Sequence, residues 1–335
     1  MKQKLIILFF ISILKSQTSI ISGFISDSSS GEALIGANIF LQETGQGMAT
    51  DLNGYYIIQD ISPGKYTIMV SYVGFDMYKK KIDINDDESM KLNISLVEQV
   101  VELSGVEVTA EKLQRRNNIQ PSKINLSPRM MKAAPALAEP DLFRTIQALP
   151  GVLTTSEYST GLVIRGGNTD QNLIMLDGIT VYNPSHLGGV FSNFIVDGVK
   201  EAELIKGAYN AEYGGRLSAV LNVISREGNK NEFKGKANLS LLSAQTTLEG
   251  PFYKGAWVLS GRRTYFDLVL PKVLPEGVAS NIPPYYFYDI QSHVFSDITP
   301  KDRISLSYYS GIDDIIFDTF GLDGRWGNNT ISGHY

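Results

Sequence analysis

From Lys234 onward, the chain alternates between polar side chains and small or apolar ones. Lys234, Lys236 and Asn238 occupy every second position of the first such segment, and the same period of two returns in residues 288–294 and 303–309. Because successive side chains of a β-strand point to opposite sides, these segments predict strands with one polar and one apolar face. Segments of about ten residues with this pattern are typical of transmembrane β-barrels, although a soluble β-sandwich alternates in the same way.

The spacing between these segments favours the barrel. A turn over residues 249–255 and a longer loop over residues 271–284 separate them, as expected for a barrel with short turns on one side and long loops on the other. The aromatic run at residues 285–288 suits a girdle at the lipid interface. Residues 234–335 are therefore predicted to form the start of an outer-membrane barrel.

The N-terminus has the features of an export signal. Lys2 and Lys4 precede an apolar run over residues 5–14, and Ser16 follows it. A charged start, a short apolar core and a small residue near the end are typical of a secretory signal peptide. The run spans only about 15 Å as a helix, roughly half the hydrocarbon core of a bilayer. We predict a signal peptide over residues 1–16; the alternative is a buried N-terminal strand.

The composition excludes several kinds of catalytic site. Among its 335 residues the chain has no cysteine and three histidines, at positions 186, 293 and 334. It therefore lacks a thiol nucleophile, a disulfide framework and a Cys-ligated zinc site, and it offers little for a histidine-based metal or catalytic centre. The net charge of −5 and the lack of a basic block argue against a nucleic-acid interface. We predict no enzymatic activity, no metal, no cofactor and no nucleic-acid partner.

Residues 20–97 combine short apolar segments with dense turn sequences. Short strands at this spacing predict a β-sandwich. The turn at Asp51, Asn53 and Gly54 contains the Asn-Gly pair that is common in tight hairpins. It is also similar to part of a calcium loop, but the further carboxylates and the closing glutamate of such a loop are missing. We therefore predict a structural turn.

This stretch resembles the carboxypeptidase-regulatory-like domain, which implies a prealbumin-like sandwich of seven strands. The resemblance is carried by residues 23–25, 31–39, 50–56, 63–66 and 72–75. Domains of this kind are non-catalytic, and the stretch contains no histidine that could act as a metallopeptidase ligand.

Residues 98–119 are predicted to be a linker that is β-prone in its first half and polar in its second. Five residues of the first half resemble the TonB box of outer-membrane receptors, the segment that recruits the inner-membrane energy transducer. They are Val106, Glu107, Val108, Thr109 and Ala110. An exposed extended segment can add to the sheet edge of a partner, where main-chain hydrogen bonds give affinity. The alternative is that the last strand of the sandwich runs into the linker.

Residues 120–228 mix a helical pattern with β-prone segments and so predict an α+β domain. Pro140 and Asp141 precede apolar residues at helical spacing, which suits the first turn of a helix. Further along, Asp177 and Gly178 stand between two β-prone segments. They predict a hairpin, because this pair adopts the positive φ angles of a type I′ turn.

This domain resembles the plug of TonB-dependent receptors over residues 149–228, and two long stretches carry the resemblance, residues 165–183 and 203–224. The resemblance implies that charged residues of the plug meet charges on the barrel wall and lock the plug in the lumen. We predict this structural role, in preference to substrate contact, for Arg165, Glu212 and Arg216; the alternative is that they are ordinary solvated charges. The glycines of the motifs are predicted to serve tight turns and close backbone approach. The plug-motif residues are Arg165, Gly166, Gly167, Asp177, Gly178, Glu212, Gly214, Gly215 and Arg216.

A loop that follows the predicted hairpin is expected on the substrate side of the plug. Its candidate residues are Tyr182, Asn183 and His186. The alternative for a lone histidine is an incidental position without a role.

The predicted fold is mainly β: a prealbumin-like β-sandwich, then an α+β plug domain, then the first strands of a transmembrane β-barrel. The resemblance implies a barrel of 22 strands. The few strands in this chain cannot close a barrel, and open strand edges are not tolerated in lipid. We therefore expect an N-terminal fragment of a larger TonB-dependent outer-membrane receptor of the Bacteroidetes type.

The resemblance implies energy-coupled uptake of a nutrient. The nutrient is a metal chelate, a vitamin, a glycan or a peptide, and the sequence does not identify which. It also implies a place in the cell outer membrane with the sandwich in the periplasm. The expected partners are a TonB-type energy transducer, outer-membrane lipid and the extracellular nutrient. A surface lipoprotein is left open as a further partner. The alternative is a secreted or surface β-rich protein for binding or adhesion that does not transport.

Overall fold

The structure is a computed structural model, and it describes residues 19–86, 88–99, 123–134, 139–156, 158–275, 278, 283–299, 302–317 and 322–335. The predicted signal peptide and the predicted TonB box lie outside this part of the chain. The chain divides into two compact units. One contains most of the sandwich residues, and the other contains the described residues from 123 onward.

The N-terminal unit is a sandwich of two sheets, as the sequence predicts. Its strands are β1 (Ser19–Asp27), β2 (Asn38–Leu41), β3 (Gly47–Ala49), β4 (Tyr55–Ile61), β5 (Gly64–Ser71), β6 (Tyr78–Ile84), β7 (Ser89–Lys91) and β8 (Ile94–Leu96). In one sheet, β1 pairs with β4 on one side and with β7 and β8 on the other; the second sheet has the order β3-β2-β5-β6. Apolar side chains from both sheets, among them Ile21, Ile68 and Ile94, form one buried core.

The last apolar segment of the sandwich, residues 90–96, is divided between two short strands. Strand β7 pairs with the first part of β1 and β8 with its end, both in the parallel direction. Between these two pairings, the backbone N–H of Phe24 donates to Oδ1 of Asn93 at 3.0 Å. The asparagine side chain therefore takes the place of a strand carbonyl and divides the segment.

The turn at residues 51–54 is built by one carboxylate. Oδ1 of Asp51 accepts hydrogen bonds from the backbone N–H groups of Asn53 and Tyr55 at 2.9 and 2.8 Å, and Gly54 has a φ of +72°. An aspartate that bonds the backbone two residues on, followed by a glycine at positive φ, makes a tight turn. Within the described residues, no group of three or more His, Cys, Asp or Glu is placed to hold a metal ion.

The plug is an α+β domain built on a mixed sheet. Its strands are β9 (Lys123–Leu126), β10 (Val152–Thr154), β11 (Leu162–Ile164), β12 (Leu173–Leu176), β13 (Ile179–Thr180), β14 (Ser185–His186), β15 (Phe191–Ser192), β16 (Val199–Ile205) and β17 (Val220–Ser225); its helices are α1 (Pro128–Ala133) and α2 (Leu142–Gln147), with short 3-10 turns at Thr169–Gln171 and Val196–Gly198. The main sheet has the order β13-β12-β17-β16-β9, in which β12 and β17 run parallel. Met131 and Ile146 of the helices share one buried core with Leu204 and Leu221 of the sheet.

Helix α2 and the hairpin β12–β13 form for local reasons that the sequence contains. The carboxylate of Asp141 accepts hydrogen bonds from the N–H groups of Phe143 and Arg144 at 2.8 and 3.1 Å and so caps the helix. Asp177 and Gly178 have φ angles of +48° and +79°, as a type I′ turn requires. The predicted helix and hairpin are confirmed, but the helix begins at Leu142, so Pro140 and Asp141 lie before its first turn.

The remaining strands form a six-stranded antiparallel sheet, which we call the wall sheet. It consists of β18 (Lys234–Leu239), β19 (Ser243–Phe252), β20 (Gly255–Thr264), β21 (Tyr285–Asp297), β22 (Arg303–Phe317) and β23 (Leu322–His334), with helix α3 (Phe266–Val273) between β20 and β21. Leu259, Ile304 and Leu306 lie on an exposed outer face and alternate with buried residues such as Ser260 and Ser307. The predicted period of two is confirmed. No helix in the described part of the chain has the length and apolarity needed to cross a membrane.

The aromatic run at the start of β21 is divided between the two faces of the wall sheet. Tyr285 and Phe287 are buried on the inner face, where they cluster with Phe191 of the plug. Tyr286 and Tyr288 lie on the outer face and are partly exposed. Because alternate residues of a strand point opposite ways, only half of the run can serve the predicted girdle.

Candidate functional site between the plug and the wall sheet

Three charged side chains lie on the inner face of the wall sheet: Arg262 on β20, Asp289 on β21 and Asp313 on β22. Arg262 and Asp289 are direct partners in the antiparallel register. All three residues are at most 3% exposed. Burying a charge is costly unless the charge is paired, so the partners of these groups define the site.

Arg262 joins the plug to the wall sheet. Its Nη1 donates to Oε1 of Glu139 at 2.8 Å, and its Nη2 donates to the backbone carbonyl of Ser192 at 2.6 Å. Its Nε and Nη2 also donate to Oδ2 of Asp289 at 2.8 and 2.6 Å. The other oxygen of Glu139 accepts from Nε2 of Gln245 on β19 at 2.8 Å. The guanidinium is thus held by two carboxylates, one from the plug and one from the wall sheet.

His186 makes a second bridge between the same parts. Its Nε2 lies 2.8 Å from Oδ1 of Asp289, and its Nδ1 lies 2.7 Å from Oδ2 of Asp313. The imidazole stacks on Phe287, with ring centroids 4.1 Å apart and 5° between the planes. The backbone N–H of Leu187 adds a hydrogen bond to Asp313 at 3.0 Å. The His186 side chain is completely buried.

The charge state of His186 follows from these surroundings. Burial by itself lowers the pKa of the ring, but the charges and hydrogen bonds of Asp289 and Asp313 raise it, and the pKa of His186 ends above its ordinary value of 6.5. We call the residues joined by these contacts the His186 network. They are Glu139, His186, Arg262, Asp289 and Asp313.

Asp197 ties a plug helix to the first wall strand. Its Oδ1 accepts hydrogen bonds from Nζ of Lys132 on α1 and from Nζ of Lys236 on β18, the latter at 2.7 Å. Burial by itself raises the pKa of Asp197, but the two lysines hold it below its ordinary value.

Two further ion-pair groups lie where the plug chain leaves β17. Nη2 of Arg226 lies 2.8 Å from Oε2 of Glu249 on β19. The next residue, Glu227, lies 3.3 Å from Nζ of Lys200 and 3.2 Å from Nη1 of Arg303 on β22. Burial by itself raises the pKa of Glu227, but Lys200 and Arg303, together with the nearby Lys230, outweigh this effect and lower the pKa. Charges therefore link the plug to the wall sheet at several separate places.

These contacts are suited to holding the plug in one position. A buried ion pair adds little net stability compared with apolar packing, but removal of one partner leaves an uncompensated charge in a medium that solvates it poorly. A network of such pairs therefore favours the one arrangement in which every charge has its partner.

The plug-motif charges predicted to lock the plug lie in other places. Arg165 has a φ of +50° and its guanidinium lies against Gly207. Glu212 accepts a hydrogen bond from the side chain two positions before it at 3.3 Å. Arg216 donates to the carbonyl of Gly215 at 3.1 Å. These contacts are within plug loops, and a locking role for the three charges stays a prediction.

Asp177 is a predicted motif residue that does contact the wall sheet. Its carboxylate accepts hydrogen bonds from the N–H and the hydroxyl of Ser225 at 2.8 and 2.6 Å, which ties the hairpin to β17. Its backbone carbonyl accepts from the hydroxyl of Ser332 on β23 at 3.2 Å.

The predicted motif glycines shape loops. Positive φ angles of +79° or +80° occur at Gly166, Gly178 and Gly215, a conformation that favours glycine. A Cβ added to Gly167 would lie 2.4 Å from Oγ of Ser218, whereas one added to Gly214 would meet nothing within 4 Å.

The predicted substrate-side loop is only partly exposed. Tyr182 is 78% exposed, with the guanidinium carbon of Arg216 6.0 Å from its ring centroid. The carbonyl of Asn183 accepts from Nδ2 of Asn328 on β23 at 2.7 Å. His186 is buried against the wall sheet, where both ring nitrogens find carboxylate partners on the inner face. Its place on the substrate side of the plug stays a prediction.

Sequence reasoning missed Glu139, Arg262, Asp289 and Asp313 as site residues. The available signal was the period of two, because a charged residue in the inward phase of a wall strand needs a buried partner. That signal would have found the three wall residues. It could not have found Glu139, which lies in an irregular segment before α2.

Comparisons with known proteins agree with this architecture. A family model described as the CarboxypepD_reg-like domain matches residues 21–108, and one described as the TonB-dependent Receptor Plug Domain matches residues 126–220. The first match includes residues 106–108, the first three of the predicted TonB box.

Two curated relatives each match about two thirds of the chain. The TonB-dependent transporter Oar of Myxococcus xanthus is 25% identical over 236 residues, which cover 66% of this chain and 21% of the relative. The TonB-dependent receptor P26 of Formosa agariphila is 27% identical over 215 residues, which cover 62% of this chain and 21% of the relative. The chain thus spans about a fifth of the length of these curated relatives. Among solved structures, the siderophore receptor PirA from Pseudomonas aeruginosa matches with 18% identity and a TM-score of 0.39, over 58% of this chain and 36% of that chain.

Proposed function

This chain carries the sandwich and plug domains of the TonB-dependent receptors, and from that premise we propose that it serves the energy-coupled uptake of a nutrient across the outer membrane. The observation that carries the proposal is a plug domain held by buried charges against a sheet of alternating strands. A domain held in this way is suited to block the passage through a barrel until energy coupling moves it. The proposal does not specify whether the nutrient is a metal chelate, a vitamin, a glycan or a peptide.

In the proposed mechanism, substrate binding at the outer face shifts the plug toward a state in which residues 106–110 reach the periplasm. A TonB-type energy transducer then adds to this segment as a strand and pulls. The first plug strand among the described residues is β9, which lies at the edge of the main sheet and pairs with β16. The pull would therefore reach the plug through an edge strand and move it against the wall sheet.

The same proposal assigns places to the other parts of the chain. Residues 1–16 serve as the signal peptide, the sandwich lies in the periplasm, and the exposed apolar face of the wall sheet contacts outer-membrane lipid. Arg165, Glu212 and Arg216 are proposed to contact charges of the barrel wall.

Deletion of residues 106–110 tests the coupling step. The probe is the purified periplasmic domain of the TonB-type transducer from the same bacterium, added to the full-length protein in detergent micelles. A matched control deletes residues 112–116, which belong to the same linker. We expect binding of the transducer domain to be lost in the first deletion and kept in the second, because only the first removes the strand-forming segment.

Equal binding by both deletion variants would mean that the coupling segment lies elsewhere in the chain. If the intact protein fails to bind the transducer domain, the transport proposal is wrong. That outcome would favour the alternative, a surface β-rich protein for binding or adhesion.

A further inference from the structure

Both ring nitrogens of His186 face a carboxylate oxygen. Nδ1 lies 2.7 Å from Asp313 and Nε2 lies 2.8 Å from Asp289. A neutral imidazole has one N–H donor and one nitrogen with a lone pair, so it would set that lone pair against the oxygen of an ionised carboxylate. In a fully buried site, where the dielectric is low, this contact is strongly repulsive. The three groups must therefore share one proton more than a neutral imidazole provides.

The neighbours of the two carboxylates place this proton on the ring. Asp289 also accepts hydrogen bonds from Arg262 and from the hydroxyl of Tyr309. Asp313 accepts from the hydroxyl of Tyr285. A carboxylate that accepts several hydrogen bonds is favoured in its ionised form, and a protonated carboxyl here would point its O–H at another donor. The ring is therefore an imidazolium, and both of its N–H groups donate.

The charges packed around the ring favour the same state. The charged or titratable groups that contact the ring, or belong to the hydrogen-bonded cluster around it, come from the plug segment before α2 and from β20, β21 and β22. They are Glu139, Asp141, Arg262, Tyr285, Asp289, Tyr309 and Asp313. Four of them are carboxylates and one is a guanidinium. A proton on His186 reduces this excess of negative charge.

We propose that His186 is a proton-dependent latch that holds the plug hairpin β14–β15 to strands β21 and β22 of the wall sheet. While the ring is an imidazolium, it donates to one carboxylate on each of the two strands. When the ring loses one proton to solvent, one of its nitrogens faces a carboxylate with no proton between them. The hairpin then loses its hydrogen bond to one of the two strands. This inference concerns the contact between plug and wall sheet, and it holds whether or not the chain transports a nutrient.

Linkage between protonation and folding fixes the direction of the pH response. Because the pKa of His186 in the folded protein is raised above its ordinary value, the latch contributes fully below the unfolded pKa of about 6.5. Its contribution is lost as the pH rises through the raised value. The hairpin should therefore be tight at low pH and loosen as the pH rises.

Hydrogen exchange of residues 185–192 between pH 6 and pH 10, corrected for the intrinsic exchange rate, tests the latch on the full-length protein in detergent. We expect at least a tenfold loss of protection with rising pH in the unchanged protein.

In His186→Gln, protection should be low throughout and show no step, because glutamine stays neutral. In Asp313→Asn, protection should stay high throughout, because the asparagine amide can donate to a neutral imidazole. His334→Gln, an exposed histidine at the end of β23, is the control that keeps the step.

A second measurement reads the proton directly. The ¹⁵N signals of histidine-labelled protein, assigned with His186→Gln, should show both ring nitrogens of His186 protonated at pH 7. A neutral tautomer at pH 7, or an exchange step that persists unchanged in His186→Gln, would overturn the proposal. If His186→Gln fails to fold, the same signal is assigned by its shift in Asp313→Asn, so the nitrogen spectrum still decides the question.

Discussion

The interior of the sandwich and the interface between plug and wall sheet are both closed to solvent, but they are built from different kinds of side chain. The sandwich interior contains Ile21, Ile68 and Val70, all at 0% exposure. At the interface, positions that are at most 3% exposed hold Arg262 and Asp289. Apolar burial holds the first region together, and paired charges define the second.

The two kinds of burial have different effects: apolar packing determines how stable a domain is, and paired charges determine where the plug is held. Apolar burial is non-directional and does not depend on protonation, so it stabilises a domain under many conditions. Buried ion pairs add little net stability, but any arrangement that leaves one of them without its partner is strongly disfavoured. We infer that the sandwich stays folded under all these conditions. The plug is held in one well-defined position against the wall sheet, and a change of charge can release it.

The largest expected effect comes from Arg262→Met, which removes the cation and keeps most of its volume. The variant leaves Glu139 and Asp289 as buried carboxylates facing each other across the interface. We expect a loss of about 3–5 kcal/mol in the opening free energy of the plug, measured by hydrogen exchange of the β16 amides in detergent. The matched control is Arg263→Met, because the Arg263 side chain is 41% exposed and pairs with Asp267; this change should cost less than about 1 kcal/mol. Equal losses in the two variants would contradict the comparison.

A smaller effect is expected from Ile68→Ala in the sandwich. The side chain is fully buried in the apolar core, and its truncation leaves a cavity. We expect a loss of about 3 kcal/mol in the unfolding free energy of the sandwich, with the same value at pH 6 and pH 9. Lys79→Ala on the exposed side of β6 is the control and should change stability by less than about 0.5 kcal/mol. A strong pH dependence of the Ile68→Ala effect would show that charge contributes to this core after all.

The parts of the fold that depend on neighbours in sequence could be predicted. The hairpin at Asp177 and Gly178, the helix capped by Asp141 and the alternation of the wall strands all follow from local chemistry and from the period of two. The division of the last sandwich strand did not follow, because it depends on the bond between Asn93 and Phe24, which are 69 positions apart.

The His186 network could not be predicted, because its contacts join distant parts of the chain. Glu139 and Arg262 are 123 positions apart, and His186 and Asp289 are 103 positions apart. Their pairing depends on how the plug seats on the wall sheet, which no local pattern contains. The loop that carries His186 has an ordinary loop composition, so the sequence could not tell an inward-facing loop from one that faces the substrate.

Glu201 offers the smallest and most specific test, because it is a buried plug carboxyl whose surroundings do not favour its charge. The residue lies on β16 and is 6% exposed. Burial raises its pKa to about 7; the nearby Glu203 adds to the shift, and Lys200 opposes it. In this respect Glu201 is the opposite of Glu139, which meets the guanidinium of Arg262 directly.

Glu201→Gln is therefore expected to stabilise the plug in a pH-dependent way. Below about pH 4.5 the glutamate is protonated in both the folded and the unfolded chain, so the substitution should have almost no effect there. Between this pH and the raised pKa the unfolded state loses its proton more readily than the folded state, and the folded state becomes progressively disfavoured. At pH 6, between these two values, we expect a gain of about 2 kcal/mol in the opening free energy of the β16 amides. Glu203→Gln is the control, because Glu203 pairs with Lys123 and its side chain is 13% exposed; it should give a small loss at neutral pH and no gain. If Glu201→Gln destabilises the plug at pH 6, Glu201 is held as a paired charge like Glu139, and the contrast between the two carboxyls is wrong.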